Sequence, residues 1–200
     1  MCVGVLVLCK YLSLMSSKYK FSDQDKLYFT SFAVINWIDV FIRKEYKDIL
    51  IDSFKHCIKN KGLKIYGWCI MTSHVRMIIG TDQDKMENIL RDLKRHTSEK
   101  LRSAITNNFT ESRKEWMLAM MVNAGSANSN NINFQFWIQD NHPVELRTIE
   151  MAHQKLDYIH YNPVEAGFVE KPEEYLYSSA RDYYGGKGLV EITRLDTLIA

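Results

Sequence analysis

Two pairs of residues in this chain have types and spacing that suit chemistry. His74 and Arg76 stand two apart in an apolar run, residues 65–79, and Tyr158 and Asn162 stand four apart in a later helical pattern. Period-2 alternation in the run puts His74, Arg76 and Ile78 on one face and Val75, Met77 and Ile79 on the other. An imidazole and a guanidinium then point the same way from the middle of an apolar strand, where an unpaired polar group costs several kcal/mol at the upper end of the range. Either something sits opposite them, or the strand lies at a sheet edge with both side chains in water. Tyr158 and Asn162 fall on the same side of a helix if its last turn persists into Pro163, a residue type that biases its predecessor away from helical geometry. A phenol with a neutral oxygen ligand one turn away and a strand histidine suits metal-assisted nucleophilic attack on a phosphate. In such chemistry a divalent ion polarises and orients the phosphate for a weak nucleophile. The structural alternative is a tyrosine packed at a helix–sheet seam and an asparagine closing the helix.

The elements that must position these groups follow from periodicity. Residues 27–36 are rich in aromatic and β-branched types and read as a first strand. Residues 43–59 carry Tyr46, Ile49, Leu50, Phe54 and Ile58 at helical spacing, and Gly62 closes that helix. The run 65–79 reads as two strands broken at Thr72-Ser73. Met86, Ile89, Leu90, Leu93 and Leu101 mark a helix over 86–105, whose other face carries Arg91, Lys94, Arg95, Lys100 and Arg102. Residues 106–133, with their run of Asn, Ser and Gly, read as a flexible loop, and 134–138 as a short strand. Asn141-His-Pro143 reads as a turn in which His142 is a turn residue. Thr148 caps a helix running to about residue 161, with Ala152, Leu156 and Ile159 as its core stripe and His160 turned away from Tyr158 into a structural role. The tail from Val169 packs irregularly over the body. The order strand, helix, strand, strand, helix, strand, helix predicts an α+β fold. The expected form is a ferredoxin-like or RRM-like antiparallel sheet with helices packed mainly on one face.

Composition sets the bounds. The chain's 200 residues suit one domain over 15–200, with the insertion 106–133 as its flexible part. A net charge of +2 gives no global field, so nucleic-acid binding must come from a local cluster. The four cysteines, Cys2, Cys9, Cys57 and Cys69, show no zinc spacing and read as reduced thiols of a cytoplasmic protein. Residues 1–14 form an apolar leader, too short to span a bilayer and without a basic start. That leader reads as a disordered tail or a mis-assigned start, with Met15 the more natural beginning. No other segment approaches transmembrane length.

Three stretches resemble a known family. Met71-Thr-Ser-His-Val-Arg-Met-Ile-Ile79 is similar to the "Met-x-Asn-His-Val-His-hydrophobic" strand of the HUH single-strand transposases. Phe136-Trp137 with Asn141-His-Pro143, followed by Lys155-Leu-Asp-Tyr-Ile-His-Tyr-Asn-Pro-Val-Glu-Ala-Gly-Phe-Val169, resembles their tyrosine helix and its exit. Pro172-Glu-Glu-Tyr-Leu-Tyr-Ser-Ser-Ala-Arg-Asp-Tyr183 is similar to the tail of the REP-associated tyrosine transposases. The resemblance runs from Lys18 to Leu195 and implies a ferredoxin-like protein that binds single-stranded DNA bearing a hairpin. It further implies cleavage and rejoining with Mg²⁺ or Mn²⁺ through a 5′-phosphotyrosine. Tyr158 matches the nucleophile, His74 the first metal-binding histidine, and Asn162 the polar ligand one turn past the tyrosine.

One departure weighs against that ligand set. The family's second histidine falls at Arg76, and a guanidinium has no free lone pair for a cation; Ser73 stands where asparagine is usual. Arg76 is therefore expected either to contact the scissile phosphate bidentately or to mark a catalytically impaired descendant that still binds a DNA hairpin. An unrelated RRM-like RNA-binding module is a third reading, disfavoured by the tyrosine-helix block. The basic row Arg91, Lys94, Arg95, Lys100 and Arg102 is a candidate DNA-binding face, or else a solvated helix face. Tyr66, Trp68 and Phe136 are candidate stacking aromatics beside it, or else core. The oligomeric state is open, with a homodimer as one candidate.

Overall fold

The computed structural model describes residues 21, 23–127, 133–139 and 143–198, so the apolar leader and the expected turn at Asn141 and His142 lie outside the described residues. The elements in chain order are β1 (Tyr28–Ala33), α1 (Lys44–Lys61), β2 (Leu63–Ile70), β3 (His74–Thr81), α2 (Met86–Asn107), α3 (Lys114–Ser126), β4 (Val144–Glu145), α4 (Ile149–Glu165) and the short α5 (Ala180–Tyr183). The strands form one antiparallel sheet in the order β2-β3-β1-β4, the ferredoxin-like arrangement. Among the described residues, no helix is long and apolar enough to cross a membrane.

Strand alternation sorts the side chains into two cores. Phe32 of β1, Trp68 and Ile70 of β2, and Val75, Met77 and Ile79 of β3 meet α1 and α2 through Tyr46, Leu50, Phe54, Ile89, Leu90 and Leu93. On the opposite face Phe29, Tyr66, Cys69, Met71 and Ile78 meet Ala152, Leu156 and Ile159 of α4. The helices thus lie mainly on one face, and α4 alone among the long ones crosses the other. An irregular register between Ile65 and Gly67 keeps Trp68 and Ile70 on the same side as Leu63 and Ile65. At Gly67 a Cβ would stand 2.5 Å from Leu156 Cδ1, so the missing side chain is what lets α4 settle onto β2.

Two expectations need correction. The stretch 106–133 contains a helix, α3, which buries Met117, Met121 and Gly125 at i, i+4 and i+8. Gly125 lets the returning chain cross it, since a Cβ there would stand 2.5 Å from the Phe134 backbone. The helix start is held by Glu111, whose buried carboxylate accepts from Arg43 Nε at 2.8 Å and from Arg113 Nε at 2.9 Å and Nη2 at 3.0 Å. Segment 134–138 is not a strand of its own: Trp137 makes a single bridge to Val34, flanked by the bonds Ile35 N to Phe136 O and Ile138 N to Ala33 O, each 2.8 Å.

The tail is more ordered than expected. It follows the free edge of β2, with Ile70 N donating to Tyr177 O and Ser179 N donating to Trp68 O, both at 2.9 Å. An exposed strand edge is thereby closed. His160, buried on α4, shares a 2.9 Å hydrogen bond with Ser179 Oγ, which also accepts from Trp68 N at 2.9 Å. Burial holds the His160 ring down to about 4, so it is a neutral strut between helix, tail and sheet.

Candidate active site

The pocket begins with small residues. In antiparallel pairs, directly opposite side chains share a face. Ser31 of β1 and Cys69 of β2 flank Arg76, and Ala33 lies opposite His74. Short neighbours on both sides leave the imidazole and the guanidinium standing above the sheet with space over them.

Helix α4 supplies the cover. Thr148 caps it through Oγ1, which accepts from Met151 N at 3.2 Å, and the buried stripe Ala152, Leu156 and Ile159 sets its rotation. The helix runs through Pro163 to Glu165, and Asn162 O accepts from Ala166 N at 3.1 Å. Asn162 is therefore helical and does stand one turn beyond Tyr158 on a common side. Tyr158 is 40% exposed. Its ring lies under the Arg76 guanidinium, with the guanidinium carbon 4.6 Å from the ring centre, and Lys155 Nζ approaches the same ring at 5.6 Å.

The buried polar atoms converge here. Among the described residues five buried side-chain N or O atoms have no hydrogen bond of good geometry, and three of them are His74 Nε2, Arg76 Nη1 and Asn162 Oδ1; the Asn162 amide nonetheless lies close enough to the His74 ring to act on it. Most buried polar atoms in folded proteins are paired, so three such atoms in one pocket suit the binding of a polar group. Burial, reinforced by the Arg76 charge and partly opposed by Asn162, holds the His74 imidazole down to about 4, so the ring is neutral at working pH. Its Nδ1 lies 3.4 Å from Ser73 Oγ. Burial also lowers the Arg76 guanidinium, while Tyr158, Cys69 and Glu165 push it back up. No ion pair joins Arg76 to a carboxylate among the described residues.

These donors do not fit the expected Mg²⁺ or Mn²⁺. His74 Nε2 and Asn162 Oδ1 are two neutral ligands beside a half-buried cation, whereas hard divalent ions are held by carboxylates and other oxygens. Among the described residues no group of three or more His, Cys, Asp or Glu stands ready to hold a metal ion. The set suits an anion instead: a fixed guanidinium, a neutral imidazole able to donate, and a phenol at the rim.

The expected DNA-binding row lies elsewhere. α2 belongs to the opposite core, so Arg91, Lys94, Arg95, Lys100 and Arg102 stand across the sheet from His74 and Arg76. Several of them are already engaged. Lys94 donates to Ile138 O at 2.9 Å, Arg102 stacks on Phe134 at 4.6 Å, and Arg95 reaches Glu99 at 3.8 Å. Lys100 turns to the other side, lining the cleft between α1 and α2. The stacking candidates Tyr66, Trp68 and Phe136 are buried core residues.

Two side chains join the pocket that residue spacing does not single out. Lys155 precedes Tyr158 by three, which its helical position could have revealed. Trp37 places its ring 5.4 Å from that of His74, and only the fold brings them together.

A family model described as IS200-like transposase matches residues 31–133, covering the sheet strands that carry His74 and Arg76 but ending before α4. No curated protein matches the sequence significantly. The solved structure of a REP-associated tyrosine transposase bound to a REP hairpin aligns over 90% of this chain and 93% of its own, with a TM-score of 0.61 at 15% identity. A Deinococcus radiodurans R1 protein assigned as a transposase aligns over 71% of this chain and 94% of its own, with a TM-score of 0.42 at 18% identity. The first of these likenesses extends the shared fold through α4.

Proposed function

The chain belongs to the IS200-like transposase family, and from that premise we propose that it binds single-stranded DNA carrying a hairpin and cleaves and rejoins it through Tyr158. The carrying observation is the convergence of the His74 imidazole, the Asn162 amide and an Arg76 guanidinium that has no ion pair among the described residues, beside the exposed Tyr158 phenol. A phosphodiester seated there gives Arg76 the anion it lacks. His74 Nε2–H and the Asn162 amide N–H then donate to the phosphate oxygens and orient them. Tyr158 Oη attacks phosphorus, the bond to the 3′-oxygen breaks, and that oxygen leaves as a hydroxyl with the proton the phenol gives up. The product is a 5′-phosphotyrosine, which a 3′-hydroxyl reverses by attacking the same phosphorus. Stabilising charge on the phosphate falls to Arg76 and the neighbouring Lys155. The hairpin preference is carried over from the fold relative solved with its hairpin.

A second reading keeps the binding and drops the cleavage, and the guanidinium at Arg76 in place of a second ligand favours it. The basic row of α2 enters either reading only as a separate surface, since a strand seated on Arg76 meets the other face of the sheet. The deciding experiment incubates the protein with a hairpin oligonucleotide, with and without Mn²⁺, and looks for a covalent protein–DNA band. Strand transfer predicts a band that Tyr158→Phe abolishes. If wild type gives no band under either condition while still retarding the oligonucleotide on a gel, the binding-only reading stands.

A further inference from the structure

Trp37 is held in an unfavourable posture beside the site. Asn36 and Trp37 have φ of +52° and +55°, and among the described residues no other non-glycine residue has a positive φ. The left-handed region crowds Cβ against the backbone, and a bulky aromatic is a poor occupant of it. The chain around them cannot relax. Val34 N donates to Ser73 O, Ile35 N to Phe136 O and Phe41 N to Thr72 O, each at 2.8 Å, while Ile35, Ile38, Val40 and Phe41 are buried. The same turn, Thr72-Ser73, leads directly into His74. The Trp37 ring is 54% exposed and set edge-on to the His74 ring at an interplanar angle of 70°.

Single exposed aromatics are ordinary on protein surfaces. This one combines a strained backbone, anchorage to the turn that carries His74, and a place against the His74 ring, whose neighbour on the same strand face is Arg76. Strain that the surrounding contacts enforce clusters at ligand-binding positions. We infer that Trp37 is the stacking platform for the unpaired nucleobase next to the phosphate held by Arg76. The inference rests on the strand-binding reading above. His74 and Arg76 lie about 7 Å apart along β3, so the ring and the guanidinium address adjacent parts of one strand. Only an unpaired base offers a free face to such a ring, because bases in a duplex cover one another. With its backbone already held, Trp37 loses little main-chain freedom when a base settles on the ring.

The test uses the full chain and a hairpin oligonucleotide with a single-stranded overhang, in which 2-aminopurine replaces each overhang base in turn. Wild type is expected to quench one position. Trp37→Ala abolishes that quenching and weakens binding by roughly 5- to 150-fold, the range for losing one stacked base, while Trp37→Phe retains most of both. An abasic nucleotide at the quenched position weakens wild type to the same degree, and Trp37→Ala then adds nothing. Melting curves of both variants check that the fold persists. The inference is overturned if no position is quenched, or if Trp37→Ala weakens intact and abasic strands equally. It is also overturned if the variant changes the association state in sedimentation and leaves DNA affinity untouched, which would make Trp37 a contact between copies. Should the Trp37 effects appear while Arg76→Met binds normally, the phosphate assignment fails and the stacking platform stands. Should wild type bind no strand at all, both fall.

Discussion

Replacing Arg76 by methionine is expected to separate folding from binding. In the free protein the guanidinium is half-buried, Nη1 has no partner, and its main compensation is the face of Tyr158 at 4.6 Å. An unpaired buried polar group costs about 1–3 kcal/mol, and a cation over an aromatic ring returns about 0.5–2 kcal/mol. Methionine keeps much of the stem and fills irregular space. The net change in stability therefore lies between roughly a 1 kcal/mol loss and a 2.5 kcal/mol gain, or a melting temperature from about 4 °C below wild type to about 10 °C above it. DNA affinity moves much further. Losing charge-assisted hydrogen bonds to one phosphate costs about 1.5–3 kcal/mol, or roughly 10- to 150-fold in Kd. The salt dependence also flattens by about 0.7 in the log–log slope, the value for one single-strand phosphate. Fluorescence anisotropy with a labelled hairpin oligonucleotide over a salt series, beside differential scanning calorimetry, measures both. A melting temperature that falls by much more than about 4 °C, with affinity unchanged, would show that Arg76 is a structural residue and refute the anion site.

Other expectations follow from the same geometry. Mn²⁺ leaves the melting temperature of wild type unchanged, whereas Arg76→His, which supplies a second imidazole and removes the repelling charge, is stabilised by it; a clear Mn²⁺ shift in wild type would contradict the donor argument. Gly67→Ala forces Leu156 aside and costs about 1–3 kcal/mol as an overpacked contact, with a larger loss in adduct formation because α4 carries Tyr158; both are read from melting and gel assays. Glu111, held at about 2 by Arg113 first and also by Arg43, ionises near 4.3 when unfolded. Its folded value is depressed, so its stabilisation is fully present above about pH 4.3 and is lost as pH falls toward about 2. Urea midpoints across that window should drop for wild type and flatten for Glu111→Gln, which itself loses roughly 2–4 kcal/mol at neutral pH because two arginines lose their buried partner. Lys94→Ala is expected to loosen segment 133–139, because Lys94 holds Ile138 O; hydrogen exchange in that segment checks it.

Much of the site was legible in one dimension, and the reasons are local. Side chains in a strand alternate, so His74 and Arg76 had to share a face opposite Val75 and Met77. A helix returns every 3.6 residues, so Tyr158 and Asn162 shared a side once the turn held through Pro163, and Ala152, Leu156 and Ile159 declared which side was buried. The chemical identity of Arg76 was equally plain, and with it the poor fit to a divalent ion. Helix α3 was hidden by its setting. Its stripe Met117, Met121 and Gly125 was present, but the Asn-, Ser- and Gly-rich run that follows made the whole stretch read as loop.

Tertiary structure alone decided which groups meet. Periodicity says that a helix has an apolar side, but not which face of the sheet it covers, because that depends on the connections and on what already fills each face. So the basic row of α2 landed across the sheet from Tyr158, and Tyr66, Trp68 and Phe136, candidates for either stacking or core, proved to be core. Trp37, with no local signal, was carried to the rim beside His74 by backbone bonds to a turn far along the chain. The residues themselves determine what chemistry is possible; the folding of distant segments onto one face of a sheet determines which of that chemistry shares a pocket.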